Sequence, residues 1–141
     1  ENTTTPVGTP RITIKGNGDV GIGTQTPTQP LQMAGGAYTN GSQWIDASSR
    51  EYKENIESLD SREALLTLAS LDPVKFNYKS DASEKHVGFI AEEVPDLVAM
   101  KDRKGLSPMD IVAVLTKVVQ EQQKTISTLR EELNELKGKV K

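Results

Sequence analysis

Two hydroxyls and an amine stand close together in Asp46-Ala47-Ser48-Ser49-Arg50-Glu51-Tyr52-Lys53-Glu54-Asn55-Ile56. A serine hydroxyl can attack a carbonyl if a neighbouring base takes its proton. Lysine can be that base only when neutral, which requires desolvation or another influence that disfavours its charge. The heavy atoms must also approach within about 3 Å. Ser48 and Lys53 lie five positions apart, a spacing that permits this if the backbone turns between them. On one straight strand they would face opposite ways. Ser49 and Lys53, four apart, are equally allowed. Backbone amides of such a turn could hold the oxyanion. On spacing alone, a solvated turn with Lys53 in a surface ion pair accounts for the stretch just as well.

Composition removes most other chemistries. The 141 residues include no cysteine and one histidine, His86. A thiol nucleophile, a disulfide framework and a zinc site with two histidines in one chain are therefore excluded. A serine–histidine pair would have to use His86, which heads an alternating segment and reads as a packed or hydrogen-bonded residue that could help shape an interface. Adjacent Glu92 and Glu93 diverge on a helix and make no carboxylate pair. Asp102 and Asp110 read as turn and cap residues. No metal or cofactor motif is present: Gly16, Gly18, Gly21 and Gly23 lack the Gly-Lys-Ser/Thr ending of a phosphate loop. A net charge of -3, with both signs interleaved, gives no case for nucleic acid or an anionic membrane. No apolar run approaches the roughly twenty residues of a membrane span. An apolar fraction of 35% is low for a self-sufficient domain, and oligomerisation is the simplest remedy.

The elements that must position the Ser/Lys stretch differ on its two sides. Residues 1–10 read as extended linker. Arg11–Lys15, Val20–Thr24 and Leu31–Ala34 are short strand candidates separated by Gly16-Asn17-Gly18-Asp19 and by Pro27 and Pro30. They are too short and glycine-rich to build a core alone, so pairing across chains in an elongated assembly is one expectation and a loose linker the other. Asn40-Gly41 predicts a hairpin with Tyr38 on one arm and Trp44-Ile45 on the other, Trp44 serving as a packing anchor. Downstream, Ser61 is the expected N-cap of a helix over 62–70, which ends at Asp72-Pro73. Val74–Lys79 alternates as a half-buried strand, Asp81–Lys85 reads as a solvated turn, and His86–Ile90 as the returning strand. A helical turn ending at Pro95 and a third strand at Leu97–Met100 follow. Ser107 as N-cap, Pro108 at the first position and Asp110 at the third open a long helix.

That helix carries a heptad pattern. With Ile126 at a, the a positions are Val112, Val119, Ile126, Leu133 and Val140, and the d positions are Leu115, Gln122, Leu129 and Leu136. β-branched a residues over leucine d residues match a parallel coiled coil, and Glu132 at g faces a neighbour's Lys137 at e. Ile111, Val114 and Val118 widen the apolar face early in the helix, so that part must cover the globular region or meet further helices. Periodicity alone does not select trimer over dimer.

Several ordered segments resemble one known family: Ser48–Ile56, Leu71-Asp72-Pro73-Val74-Lys75-Phe76-Asn77-Tyr78, and His86-Val87-Gly88-Phe89-Ile90-Ala91-Glu92-Glu93-Val94, with the helix that follows. Residues 42–125 are similar to the C-terminal intramolecular chaperone domain of phage endosialidases, tail spikes and tail fibres. Asp19-Val20-Gly21-Ile22-Gly23-Thr24 is similar to the glycine-rich fibre sequence often found upstream. The resemblance implies a serine endopeptidase acting in cis: Ser48 as nucleophile, Lys53 as base and Ala47–Ser48 as the scissile bond, cut after homotrimeric folding. It selects Ser48 over Ser49. The family's acidic residue after the serine is Ser49 here, and its arginine two before the lysine is Glu51. Arg50 could supply that charge from next door, and Asn55 would order the turn.

The expectations are thus an α+β chain with a glycine-rich β fibre-end segment at 1–47, an α/β chaperone core at 48–108 and a coiled-coil helix at 109–141. Its implied partners are two further copies of itself and its own upstream fibre segment, with no nucleic acid, membrane or cofactor. The implied setting is a virion tail fibre or spike assembled in the host cytoplasm, where the released domain stays; a bacterial cell surface is the alternative. A permanent trimerisation domain and a glycan-binding fibre tip are the rival functions, the latter opposed by an aromatic fraction of 4%.

Overall fold

The computed structural model describes residues 11–139; the expected linker at 1–10 and the last a position, Val140, lie outside them. The chain is mixed α+β and divides into two compact units, Glu1–Glu57 and Ser58–Lys141. The division falls after the Ser/Lys stretch, whereas the family resemblance places a boundary at the implied scissile bond, 47/48. Ser48 and Lys53 therefore share a unit with the strands upstream of them.

In the first unit, β1 (Ile12–Ile14), β2 (Val20–Ile22), β3 (Leu31–Met33), β4 (Tyr38–Thr39) and β5 (Trp44–Ile45) form one sheet in the order β1-β2-β3-β4-β5. The short segments thus pair within a single chain, where the sequence left pairing across chains or a loose linker as the expectations. All neighbours are antiparallel except β2 and β3, which run parallel with Val20 opposite Leu31. Parallel strands need a return connection. Here the loop after Ile22 crosses the sheet at Gly21, where an added Cβ would lie 3.2 Å from Pro27 Cδ. Pro27 is fully buried and Lys15 Nζ donates to its carbonyl at 3.1 Å. A glycine, a proline ring and backbone bonds thus make a centre without large side chains, and Ile12 and Ile14 stay 63% and 72% exposed.

The Asn40-Gly41 hairpin forms as the sequence predicts, with Tyr38 opposite Ile45 and Thr39 opposite Trp44. Asn40 Oδ1 accepts from the amides of Ser42 and Gln43, and Gly41 takes φ 94°. Trp44 is exposed rather than a packed anchor, its indole N–H donating to Asp46 at 3.0 Å.

The second unit contains α1 (Ser61–Ala69), the hairpin β6 (Val74–Tyr78) and β7 (Asp81–Gly88), a 3-10 turn at Asp96–Val98, and α2 (Pro108–Lys139). Asp60, not Ser61, caps α1: its carboxylate accepts from the amides of Arg62 and Glu63, a stronger charge-assisted use of the helix N-terminus. β7 begins at Asp81, so the expected solvated turn is exposed strand: Asp81 pairs with Tyr78, the ladder shifts register before Phe76–His86, and Asn77 Nδ2 holds the residues between by donating to the carbonyls of Ala82 and Glu84. Leu97–Met100 is not a third strand. Asp96–Val98 coils and only Ala99 bridges to Leu106.

The core of this unit is Ala64 from α1, Val94, Val98, and Val114 and Val118 from α2, flanked by Leu59, Leu68, Phe89, Leu106 and Ile111. The extra apolar residues early in α2 therefore cover the globular region. Ser107 caps α2 through its hydroxyl to the Asp110 amide. The heptad stripe faces away from that core: Val112, Leu115, Val119, Ile126, Leu129, Leu133 and Leu136 are each between 41% and 59% exposed. No helix among the described residues is long and apolar enough to cross a membrane.

Candidate active site

The chain leaves β5 at Ile45 and enters one turn of 3-10 helix at Arg50–Tyr52. That turn supplies the bend that the five-residue spacing requires. The Tyr52 amide donates to the Ser49 carbonyl at 3.2 Å and the Lys53 amide to the Arg50 carbonyl at 3.1 Å. Lys53 leaves in an extended conformation, and its Nζ returns to donate to Ser48 Oγ at 2.8 Å.

The two candidate serines are separated by what their hydroxyls do. Ser49 is the N-cap of the turn, its Oγ accepting from the Glu51 amide at 3.4 Å. Ser48, one position earlier, has its hydroxyl against the lysine. A capping hydroxyl is engaged in holding the bend; the other meets the amine.

Both Ser48 and Lys53 are exposed in the single chain, and among the described residues Lys53 enters no ion pair. A lysine amine takes a serine proton only in its neutral form, which burial favours.

Of the other candidates, Arg50 opens the 3-10 turn, is exposed and forms no ion pair among the described residues. Asn55 has φ 52°, a left-handed conformation that asparagine tolerates better than most residues, at the exit from the stretch. His86 sits on β7 in the second unit opposite Phe76, stacked on its ring at 5.7 Å and edge-on to Tyr78 at 5.0 Å. It is thus a member of an aromatic cluster. Glu92 pairs with Lys104 at 2.7 Å, which holds its carboxyl below the usual range.

Two residues beside the site, Gly36 and Tyr52, are not singled out by sequence reasoning. Ala47, half-buried between exposed Asp46 and Ser48, places its methyl near Gly36 in the β3–β4 turn, and the ring of Tyr52 closes on the same spot. Their signal is faint: a second glycine in Gly35-Gly36 and an aromatic one position before the lysine. An open groove of about 340 Å³ runs past them, lined by Gln32, Tyr38, Ala47 and Ser48 among others. The Glu51 carboxylate accepts a hydrogen bond from the Tyr52 hydroxyl and repels its phenolate, raising that hydroxyl above the ordinary tyrosine value. The phenol is therefore neutral where serine chemistry would run.

Comparison with known proteins adds one match. Residues 48–101 fit the family described as chaperone of endosialidase, beginning at Ser48 and including Lys53, the β6–β7 hairpin and the Asp96–Val98 turn. No solved structure matches the chain.

Proposed function

We propose, from the match of residues 48–101 to the family described as chaperone of endosialidase, that the chain is an intramolecular chaperone that drives homotrimeric assembly of a preceding tail fibre or spike. It then releases itself by cutting Ala47–Ser48. Residues 1–47 act as the fibre-end segment, 48–108 as the chaperone core and 109–141 as the assembling helix. The observation that carries the cleavage reading is the 2.8 Å approach of Lys53 Nζ to Ser48 Oγ, with Ser49 engaged as a cap.

The reaction is an acyl transfer within the chain. Neutral Lys53 takes the Oγ proton as Oγ attacks the Ala47 carbonyl carbon. The C–N bond to Ser48 then breaks as that nitrogen receives the proton. The resulting ester is hydrolysed by water, leaving a carboxylate on Ala47 and a free α-amine on Ser48. The amides of Glu51, Tyr52 and Lys53 already have acceptors within the turn, so an oxyanion hole built from this turn must draw on earlier amides.

Assembly gates the step. A peptide bond is a poor acyl donor and needs a near-attack geometry, and the exposed Lys53 needs cover to become a neutral amine. Neighbouring subunits would provide that cover while α2 supplies the association. Its exposed stripe offers side chains worth about 1.5–3 kcal/mol each when fully buried. Release then leaves the fibre kinetically trapped. The setting is a phage tail fibre or spike maturing in the host cytoplasm.

The second reading is a permanent trimerisation domain, favoured by the solvent exposure of both Ser48 and Lys53. Intact-mass analysis of the purified chain after incubation tests the two. The expected result is a product beginning at Ser48 that disappears in Ser48→Ala. A wild-type trimer that stays whole after prolonged incubation overturns the cleavage reading and leaves the second.

A further inference from the structure

We propose that Gly36 and Tyr52 form a seat for the side chain of residue 47 that positions the Ala47–Ser48 bond for attack and admits only small side chains there. The proposal rests on the cleavage reading above and adds to it which residues read the scissile bond. A Cβ built on Gly36 would lie 3.0 Å from Ala47 Cβ and 3.0 Å from both Cε2 and Cζ of Tyr52. Three groups therefore converge on the space that only a glycine leaves open, and the atom that Ala47 presents to it is its methyl.

The backbone makes the same demand. Gly36 has φ +88°, in the left-handed region that side chains rarely adopt. It closes the turn between β3 and β4, its amide donating to the Met33 carbonyl at 3.0 Å, while the Met33 amide donates to Ala37 at 2.8 Å. The seat exists only when that hairpin is closed. Tyr52 approaches from the other side of the scissile bond, within the 3-10 turn that ends at Lys53. A side chain longer than alanine at residue 47 that keeps to this seat meets Gly36 or the Tyr52 ring. Moving Tyr52 displaces the adjacent lysine, and a misplacement of about 1 Å is enough to cost about 10²-fold in rate.

One consequence separates this seat from gating by assembly. Gly36 belongs to the segment that is cut away, so the released part helps to position its own cleavage. A fibre end whose β3–β4 turn has not closed presents an unseated bond, even in an assembled trimer.

The test is a size series at the scissile bond with a compensating change in the ring. Full chains carrying Ala47→Val, Ala47→Leu, Tyr52→Ala, and Tyr52→Ala combined with each Ala47 variant are purified. Cleavage is followed by intact mass, with helix content and assembled mass measured for each. Ala47→Leu should cleave about 10²-fold slower than wild type, with Ala47→Val between. Tyr52→Ala should speed the Ala47→Leu chain by at least about tenfold, because both side chains converge on the space beside Gly36 and neighbouring groups couple. Should Ala47→Leu lose its fold, the Ala47→Val pair carries the same comparison. An uncleaved wild-type chain overturns the cleavage reading and the seat together. Wild-type cleavage with an equally fast Ala47→Leu or Ala47→Val chain overturns the seat alone, as does a slowed, folded variant that Tyr52→Ala fails to relieve.

Discussion

Replacing Lys53 in two ways separates a base from a charge. Its Nζ lies 2.8 Å from Ser48 Oγ, already inside the roughly 2.6–3.2 Å window for direct proton transfer. The proposed step therefore needs no change in the distance between amine and hydroxyl. A positioned general base contributes about 10²–10⁴ in rate, equivalent to about 3–5 kcal/mol of barrier. Lys53→Met keeps much of the side chain's length and removes the nitrogen, so cleavage of Ala47–Ser48 should fall by that factor. Lys53→Arg keeps a positive charge and hydrogen-bond donors, but a guanidinium is not deprotonated in proteins, so it should fall as far. Both are followed by intact mass on assembled chains. An arginine variant that cleaves within about tenfold of wild type would refute the base assignment and leave Lys53 as a donor to the oxyanion.

Three further outcomes follow from the packing and the charges. Leu133→Asp puts a carboxylate in the exposed stripe of α2 and should abolish association, read by sedimentation, while the Val114/Val118 core keeps the α1–α2 region folded. Arg103→Ala removes the guanidinium that donates to the carbonyls of Glu92 and Val94 and pairs with Asp96; urea unfolding should show a loss of about 1–3 kcal/mol. Glu121 is held below the ordinary glutamate range by a hydrogen bond from Lys124, then by the Ser61 hydroxyl and by the charge of Lys117. A carboxyl whose folded pKa is depressed stabilises fully above its unfolded value, about 4.3, and loses that contribution as pH falls through its lower folded value. Glu121→Gln should therefore lower the urea midpoint at neutral pH, and the two curves should converge in strong acid.

The parts of this fold legible in the sequence are those where chemistry and geometry are local. Ser107-Pro108 marks the start of α2 because a hydroxyl and a preset φ act on the next turn alone. Asn40-Gly41 marks its hairpin for the same reason. Strand partners are another matter. A three-residue strand such as Val20–Ile22 carries almost no register information, and its parallel pairing with Leu31–Met33 depends on a loop seating Pro27 over Gly21. The first part of β7 escapes notice because Asp81–Lys85 is polar and exposed, so no apolar alternation is imposed, whereas its end lies within the expected strand at His86–Ile90. At the site, the spacing of Ser48 and Lys53 is legible as a possibility. The choice between Ser48 and Ser49 comes from the family resemblance, and the structure adds a reason invisible to spacing: one hydroxyl caps the turn. The Gly36–Tyr52 seat is illegible, since it joins residues sixteen positions apart through a turn whose closure no local pattern fixes.

From Gln122 to Lys139 every residue of α2 is exposed, and most helical stability in proteins comes from packing that this stretch lacks within one chain. In the proposed assembly its order is governed by mass action. A chain alone leaves this stretch fraying, and lasting helicity arrives only with companions. Helix content in that half thus counts neighbours, and it should fall on dilution while the α1–α2 core stays folded. Chains emerging close together in one cell would order it readily, whereas the same chains scattered would not. Crowding of newly made copies then becomes a condition of maturation, set by where and how fast the chain is synthesised.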